Sequence, residues 1–157
     1  MDIFTYIRRH HRRVGVLMNQ ILASDLPHTR LNLFNQLRTE VMEHTEVQNR
    51  TFYLAIKATA PSGSLQDRIA HAEHVGEDIE SLLDVLGNAP VSSPFWAEKF
   101  DELKLAIEQR FAEAEDVIFP RARVLLTPGQ CRSLVSEMQY IRAGLGDDAM
   151  RETLVTF

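Results

Sequence analysis

Several polar side chains interrupt the apolar stripes of this sequence, and they are the residues that could do chemistry. Arg110 lies on a stripe of apolar residues that recur at steps of three and four. His11 has a similar place near the N-terminus, and His44 with Gln48 has one further along the chain. Imidazoles bind metals, and charged side chains rarely go inside unpaired. These positions therefore indicate a buried functional or structural centre.

The elements that must position these residues are helices, because long segments have a 3.6-residue period and no strand-like alternation stands out. Capping signals mark three helix starts, at Ser64, at Ser93 before a proline and at Thr127 before a proline. Four long helices with short connections predict an all-α fold, an antiparallel up-down-up-down four-helix bundle with a short fifth C-terminal helix packed outside it. The predicted helices cover residues 3–24, 28–58, 64–86, 94–126 and 128–143.

The inward stripes of the four long helices are apolar at their ends and polar or small at their centres. If the helices are antiparallel and similar in length, these centres lie at one level, and the core of a bundle is where metal and cofactor sites are built. The central residues are His11 in the first helix, His44 and Gln48 in the second, Gly76 in the third, and Arg110 and Ala114 in the fourth.

Three motifs, in this order, resemble the hemerythrin-like (HHE cation-binding) proteins over about residues 3–143. "IRRHHRRVGVLMNQIL" is similar to the first-helix motif, with His11 in the ligand position, and "LRTEVMEHTEVQNRTFYLAI" resembles the second-helix His-x-x-x-Glu segment beginning at His44. "IEQRFAEAEDVIFPRARVLLTPGQ" is similar to the last metal helix, which carries His-x-x-x-Glu before a Phe-Pro. The resemblance implies a hemerythrin-type bundle that holds two non-haem irons with a histidine from each helix and carboxylates from the second and fourth.

Carried over one position at a time, this pattern keeps only His11 and His44 as ligands. A guanidinium cannot ligate a metal and repels one, so we expect the diiron centre to be replaced by a polar core centred on Arg110. Acceptors for Arg110 would come from Gln48, a neutral histidine, Glu113 or Glu115; the alternative is that Arg110 extends outward between helices. Gln48 replaces the second-helix carboxylate, and Gly76 replaces the third-helix histidine. Arg110 and Ala114 replace the fourth-helix histidine and glutamate.

Two further histidines lie in the third helix among several carboxylates. At about 100° per residue, His71 falls on the flank of the apolar stripe and His74 on its solvent side. A rotation of that helix would bring His71 toward His11 and His44, so we retain it as a candidate third metal ligand. The single cysteine, Cys131, lies on the stripe of the fifth helix and is interpreted as a packing residue.

Composition limits the class of protein. The 157 residues, 45% hydrophobic and 25% charged, predict one soluble domain over residues 1–146 with a flexible tail over 147–157. The net charge of −5 argues against a nucleic-acid partner, and no apolar run approaches the roughly 20 residues that span a membrane. The lone cysteine and the lack of a signal-peptide pattern predict a cytoplasmic protein, and the resemblance to hemerythrin-like proteins implies a bacterial-type one.

Three functions are compatible with these features. The first is a non-enzymatic HHE-domain protein with a dismantled diiron site and no cofactor, a sensory or binding bundle whose partner is an unknown protein or a small anionic ligand. The alternative is a metal-binding protein with a reduced site, one divalent metal ion held by His11, His44 and a third ligand such as His71. The third is a working non-haem diiron protein that binds oxygen or iron. The stripe of the fifth helix could cover the bundle or form a homodimer contact.

Overall fold

The computed structural model describes residues 1–60 and 63–155, with side chains as far as residue 146. Seven α-helices and one π-helical segment, which lies between α5 and α6, make up this part of the chain. Their bounds are α1 Ile3–Ala23, α2 Pro27–Arg50, α3 Phe52–Thr59, α4 Ser64–Gly87, α5 Pro94–Glu113, the π-helical segment Ala114–Ile118, α6 Phe119–Leu125 and α7 Pro128–Val155.

The helices form four rods. The first rod is α1, the second is α2 followed by α3, and the third is α4. The fourth is α5 followed by the π-helical segment and α6. Helix α1 packs on α2, α4 packs on α2 and α5, and α3 packs on α4 and α6. This arrangement confirms the predicted antiparallel four-helix bundle with an additional C-terminal helix. Every helix in the described part of the chain is too short or too polar to cross a bilayer.

The C-terminal helix α7 lies outside the bundle, against α1 and α2. Its apolar residues Cys131, Leu134 and Met138 are buried, so this stripe covers the bundle. This helix was predicted to be short, but it has 28 residues, and its backbone continues through two glycines to Val155. A glycine inside a helix costs only about 1 kcal/mol, which α7 tolerates. Side chains of residues 147–155 and the whole of 156–157 lie outside the described residues, and the flexible tail over 147–157 stays a prediction.

All three helices begin where the sequence predicted, and two of the three predicted N-caps are confirmed. Ser93 caps α5, because its Oγ accepts the backbone N–H of Trp96 at 3.2 Å. At α7, the backbone N–H of Thr127 donates to Gln130 Oε1 at 2.8 Å, and Thr127 Oγ1 accepts the N–H of Gln130 at 3.1 Å. The predicted capping role of Ser64 was wrong, because Ser64 is the first residue of α4 and Gly63 occupies the N-cap position.

The second rod is interrupted at Thr51, where the sequence predicted one unbroken helix. Its backbone has φ −125° and ψ −77°, outside the helical range. The Thr51 hydroxyl donates to the carbonyl of Val47 at 2.7 Å, a side-chain bond that bends helices. The chain resumes a helix at once, so α2 and α3 still act as one rod of the bundle.

The fourth rod widens into a π-helix just before Pro120. Proline lacks an N–H and its ring clashes with the carbonyl four residues earlier, so a regular α-helix cannot pass through it unchanged. The Phe119 N–H instead donates to the carbonyl of Ala114, five residues back. The extra residue in this turn moves the buried stripe from Val117, where a regular α-helix would continue it and which is half-buried, to Ile118, which is buried.

The apolar core consists of two separate clusters, one at each end of the bundle. Each rod contributes residues to both, as antiparallel helices that run the length of the bundle must. The first apolar cluster includes Phe4, Ile7, Val47, Phe52, Ile56, Ile69, Ala114, Ile118 and Phe119. The second apolar cluster includes Val14, Met18, Phe34, Val41, Ile79, Leu83, Phe100 and Ile107.

Candidate functional site

Between the two apolar clusters lies the polar layer, which we define as His11, His44, Gln48, Gly76 and Arg110. Each rod contributes at least one of these residues, and the four polar side chains are 2–6% exposed. Gly76 is buried on α4 as well. All five predicted positions are thus buried inside the bundle, with His11 against His44 and Gly76 against Arg110, and Ala114 lies in the adjoining first apolar cluster.

Arg110 points into the bundle rather than out between the helices. Its Nη1 donates to Thr45 Oγ1 at 3.0 Å, a partner on α2 that sequence reasoning missed. The missing side chain of Gly76 leaves room for the guanidinium, because a Cβ on Gly76 would lie 3.3 Å from Arg110 Nη2 and 3.4 Å from Arg110 Cζ. The glycine on α4 therefore allows the guanidinium to lie directly against a helix backbone.

The guanidinium of Arg110 is incompletely compensated. Within the described residues it forms no ion pair, and its Nη2 has no hydrogen-bond partner. Burial lowers the pKa of Arg110, against the opposing influence of the nearby Tyr53 hydroxyl and of Glu73, whose carboxylate is already paired with Lys57. Burial also raises the pKa of Tyr53, and its hydroxyl lacks a partner among the described groups. An unpaired buried cation is costly.

The contact between Gly76 and Arg110 leads to a first prediction. Alanine at position 76 gains about 1 kcal/mol of helix propensity, but its methyl group crowds the guanidinium, so we expect Gly76→Ala to be nearly neutral in the native chain. In an Arg110→Met background the same change should stabilise by about 1 kcal/mol. Urea unfolding of the four proteins measures this difference.

Gly15→Ala is the matched control for this cycle. Gly15 lies inside α1, and a Cβ there would have no described neighbour within 4 Å. It should therefore give the same gain in free energy of unfolding in both backgrounds. An equal gain from Gly76→Ala in both backgrounds would mean that the methyl group does not meet Arg110.

His11 is held by a carboxylate on the fourth rod. Its Nδ1 lies 3.2 Å from Glu115 Oε2, and Glu115 Oε1 accepts from Arg8 Nε at 3.0 Å. Burial lowers the pKa of His11 to about 4, and the opposing influence of Glu115, which raises this pKa, is smaller. The ring is therefore neutral at pH 7 with its proton on Nδ1, donated to Glu115, and Nε2 carries a lone pair. That Nε2 is buried without a partner in the described part of the chain.

His44 lies beside His11 in an aromatic cluster that sequence reasoning did not foresee. The two imidazole centroids are 5.1 Å apart, and the ring of Phe111 stacks on His11 at 3.8 Å and meets His44 edge-on at 5.6 Å. Burial, followed by the charges near it, holds the pKa of His44 well below its usual range. His44 Nε2 also lacks a hydrogen-bond partner among described atoms. The one signal for this contact in the sequence was the position of Phe111, which directly follows Arg110 and so lies on the flank of the buried stripe.

The other candidate histidine, His71, is exposed and does not reach His11 or His44. It lies at the α4–α5 cleft, a cavity of about 250 Å³ that opens beside Arg110. His74 is also exposed, with Glu77 3.8 Å away. The residues that line the cleft are His71, Ala72, Val75, Gln109, Arg110 and Glu113.

His10 connects the bundle to α7. Its Nδ1 accepts from Arg142 Nη1 at 3.0 Å, and Arg142 lies 3.7 Å from Glu40 on α2. Burial, with the charge of Arg142, lowers the pKa of His10 to about 4, so the ring stays a neutral acceptor. Helix α7 is therefore fastened to the bundle near the polar layer.

A diiron centre does not fit the residues in the polar layer. Such a site needs several imidazole and carboxylate donors directed at one point, whereas this layer offers two imidazoles, one stacked on Phe111 and the other edge-on to it. The guanidinium of Arg110 lies in the same layer and contributes a positive charge. No group of three or more His, Cys, Asp or Glu side chains within the described residues could hold a metal ion.

Comparisons with known proteins agree with this architecture. The hemerythrin HHE cation-binding domain family matches residues 2–122. The crystal structure of an HHE cation-binding domain-containing protein from Mycobacterium kansasii superposes with a TM-score of 0.76 at 20% identity, over 92% of this chain and 89% of that one, and shares its fold. Comparison with curated proteins gives no match. The family match covers most of the chain, which therefore belongs to the hemerythrin HHE cation-binding domain family.

Proposed function

We propose that this chain is a non-enzymatic hemerythrin-family protein that binds a small ligand in its polar layer instead of a metal centre. The observation that carries the proposal is the guanidinium of Arg110 inside the bundle, lying against Gly76 where a larger residue would crowd it. Around it, polar atoms of His11, His44 and Gln48 are buried without partners in the described part of the chain. Each such atom costs about 1–3 kcal/mol, which a guest that pairs with it would offset.

The chain's single thiol does not offer a nucleophile. Cys131 is buried in the first apolar cluster, and burial raises the pKa of its thiol, so little of the reactive thiolate forms. Binding of a ligand in the core of a bundle is a plausible basis for sensing, because a guest there contacts several helices at once. A location in the cytoplasm and the absence of a nucleic-acid partner stay predictions.

A second candidate is a reduced site for one divalent cation. It is favoured by the bond from His11 Nδ1 to Glu115, because a carboxylate on one ring nitrogen commonly orients the other toward a metal. The Nε2 atoms of His11 and His44 would be the donors. The charge of Arg110 opposes this candidate, and we rank it second.

The metal content of the protein tests both candidates. We would express the chain without a histidine tag in medium with added iron, purify it without chelator and measure its metals by elemental analysis. The expected result is well below one metal ion per chain, with a melting temperature that chelator does not change. A restored variant, Gln48→Glu with Gly76→His, Arg110→His and Ala114→Glu, is the positive control and should gain iron.

Two outcomes would contradict the proposal. About one metal ion per chain, lost in His11→Ala and in His44→Ala, would favour the reduced cation site. About two irons per chain with oxo-bridged absorption would mean that a diiron centre forms despite Arg110.

A further inference from the structure

We infer that the polar layer binds a small, planar, singly charged oxyanion at Arg110, with formate, nitrite and bicarbonate as representatives of the class. This inference rests on the proposed function, because it names the ligand of the same layer. It depends on the charge of the layer, the donors around Arg110 and the cleft that leads to it.

The charge of the layer favours an anion. Arg110 is 6% exposed, and no described carboxylate pairs with it. The neighbouring histidines are neutral at pH 7 because burial lowers their pKa values. The described side chains of the layer therefore carry one positive charge, which a single negative charge would balance.

The donors near Arg110 match an oxyanion better than a neutral or cationic guest. Arg110 Nη2 and Gln48 Nε2 are buried and have no partner among the described residues, and the buried Tyr53 hydroxyl lies beside the guanidinium. Gln48 lies three residues after Thr45 on α2, and Thr45 accepts from Arg110 Nη1, so Gln48 shares the helix face that contacts the arginine. These groups can all donate, and two or three donors around a guanidinium are suited to the oxygens of a planar anion.

The α4–α5 cleft gives a route and a size limit. Its volume of about 250 Å³ is smaller than the pockets that hold drug-sized ligands, and Arg110 is part of its lining. The acidic groups near it are already paired: Glu113 lies 3.3 Å from Arg68, and Glu73 pairs with Lys57. Their charges are thus offset at the surface, while that of Arg110 is not.

Thermal unfolding and calorimetric titration of the full chain with sodium formate, nitrite and bicarbonate test the inference, with sodium fluoride at the same ionic strength as reference. The native protein should show saturable stabilisation by the planar oxyanions. In Arg110→Met, and also in the charge-conserving Arg110→Lys, the dissociation constant should rise at least about tenfold. Arg12→Met, which removes an exposed arginine of α1, is the matched control and should bind like the native chain.

Stabilisation that is equal for fluoride and the oxyanions, or that survives in both Arg110 variants, would overturn the inference. This failure differs from failure of the proposed function. If no oxyanion binds but the protein is free of metal, this inference fails, while the proposed function still stands for a neutral guest. If metal is bound, the proposed function itself fails.

Discussion

Replacing Arg110 with methionine should raise the free energy of unfolding by about 1–3 kcal/mol in a buffer that contains no small oxyanion. The guanidinium is buried, has no ion pair among the described residues and leaves Nη2 unpaired, so folding removes it from water with little compensation. Methionine fills a similar length of side chain between the helices without a charge. Urea unfolding at pH 7.5 measures the change.

Arg30→Met is the contrasting control for this experiment. Arg30 is half-buried and its Nε has no partner among the described residues, but its Nη2 donates to the carbonyl of Ser24 at 2.7 Å and its guanidinium lies 5.8 Å from the ring of Trp96. Its replacement should lower the free energy of unfolding by about 1–3 kcal/mol, since hydrogen bonds to a charged group are lost. A loss of similar size in Arg110→Met would refute the view that Arg110 costs stability.

Acid should destabilise the fold well before its carboxylates are fully protonated. Above pH 6.5 the imidazole of His11 is neutral in both the folded and the unfolded chain. As the pH falls from 6.5 to about 4, His11 binds a proton in the unfolded chain but not in the folded chain, because its pKa in the folded chain is about 4. Stability therefore falls with pH in this window, by about 3 kcal/mol in full for His11. His44 acts in the same direction.

Urea unfolding at pH 7.5, 6.5, 5.5 and 4.5 measures this fall. His11→Gln, whose amide can still donate to Glu115, should flatten the profile. His74→Gln should leave it unchanged, because the His74 side chain is 70% exposed. A native profile that is flat down to pH 4.5, or one that His11→Gln does not alter, would contradict the role of buried neutral imidazoles.

Hydrophobic periodicity was sufficient to predict the four rods, because each buries one continuous stripe over most of its length. It did not predict the interruption at Thr51, since a single threonine within a helical pattern carries no strong breaking signal. The π-helical segment did have a signal, Pro120 inside an otherwise regular pattern. An analysis at a fixed 100° per residue follows the stripe to Val117 and cannot represent the extra residue that buries Ile118.

For the site, periodicity predicted which side chains face inward but not what they touch. Whether Arg110 meets Gln48, a histidine or Thr45 depends on rotations of helices about their axes by a few tens of degrees, which the sequence does not specify. The same holds for the stack of Phe111 on His11. That Gly76 lies opposite Arg110 could be predicted from the sequence, because both are central residues of neighbouring stripes.

The division of the core into two apolar clusters bears on how this family can change over evolutionary time. Because the clusters lie on either side of the polar layer, most of the burial that stabilises the fold does not depend on the chemistry between them. Substitutions within the polar layer therefore leave most of this burial in place. The scaffold and the chemistry at its centre are to this extent separable.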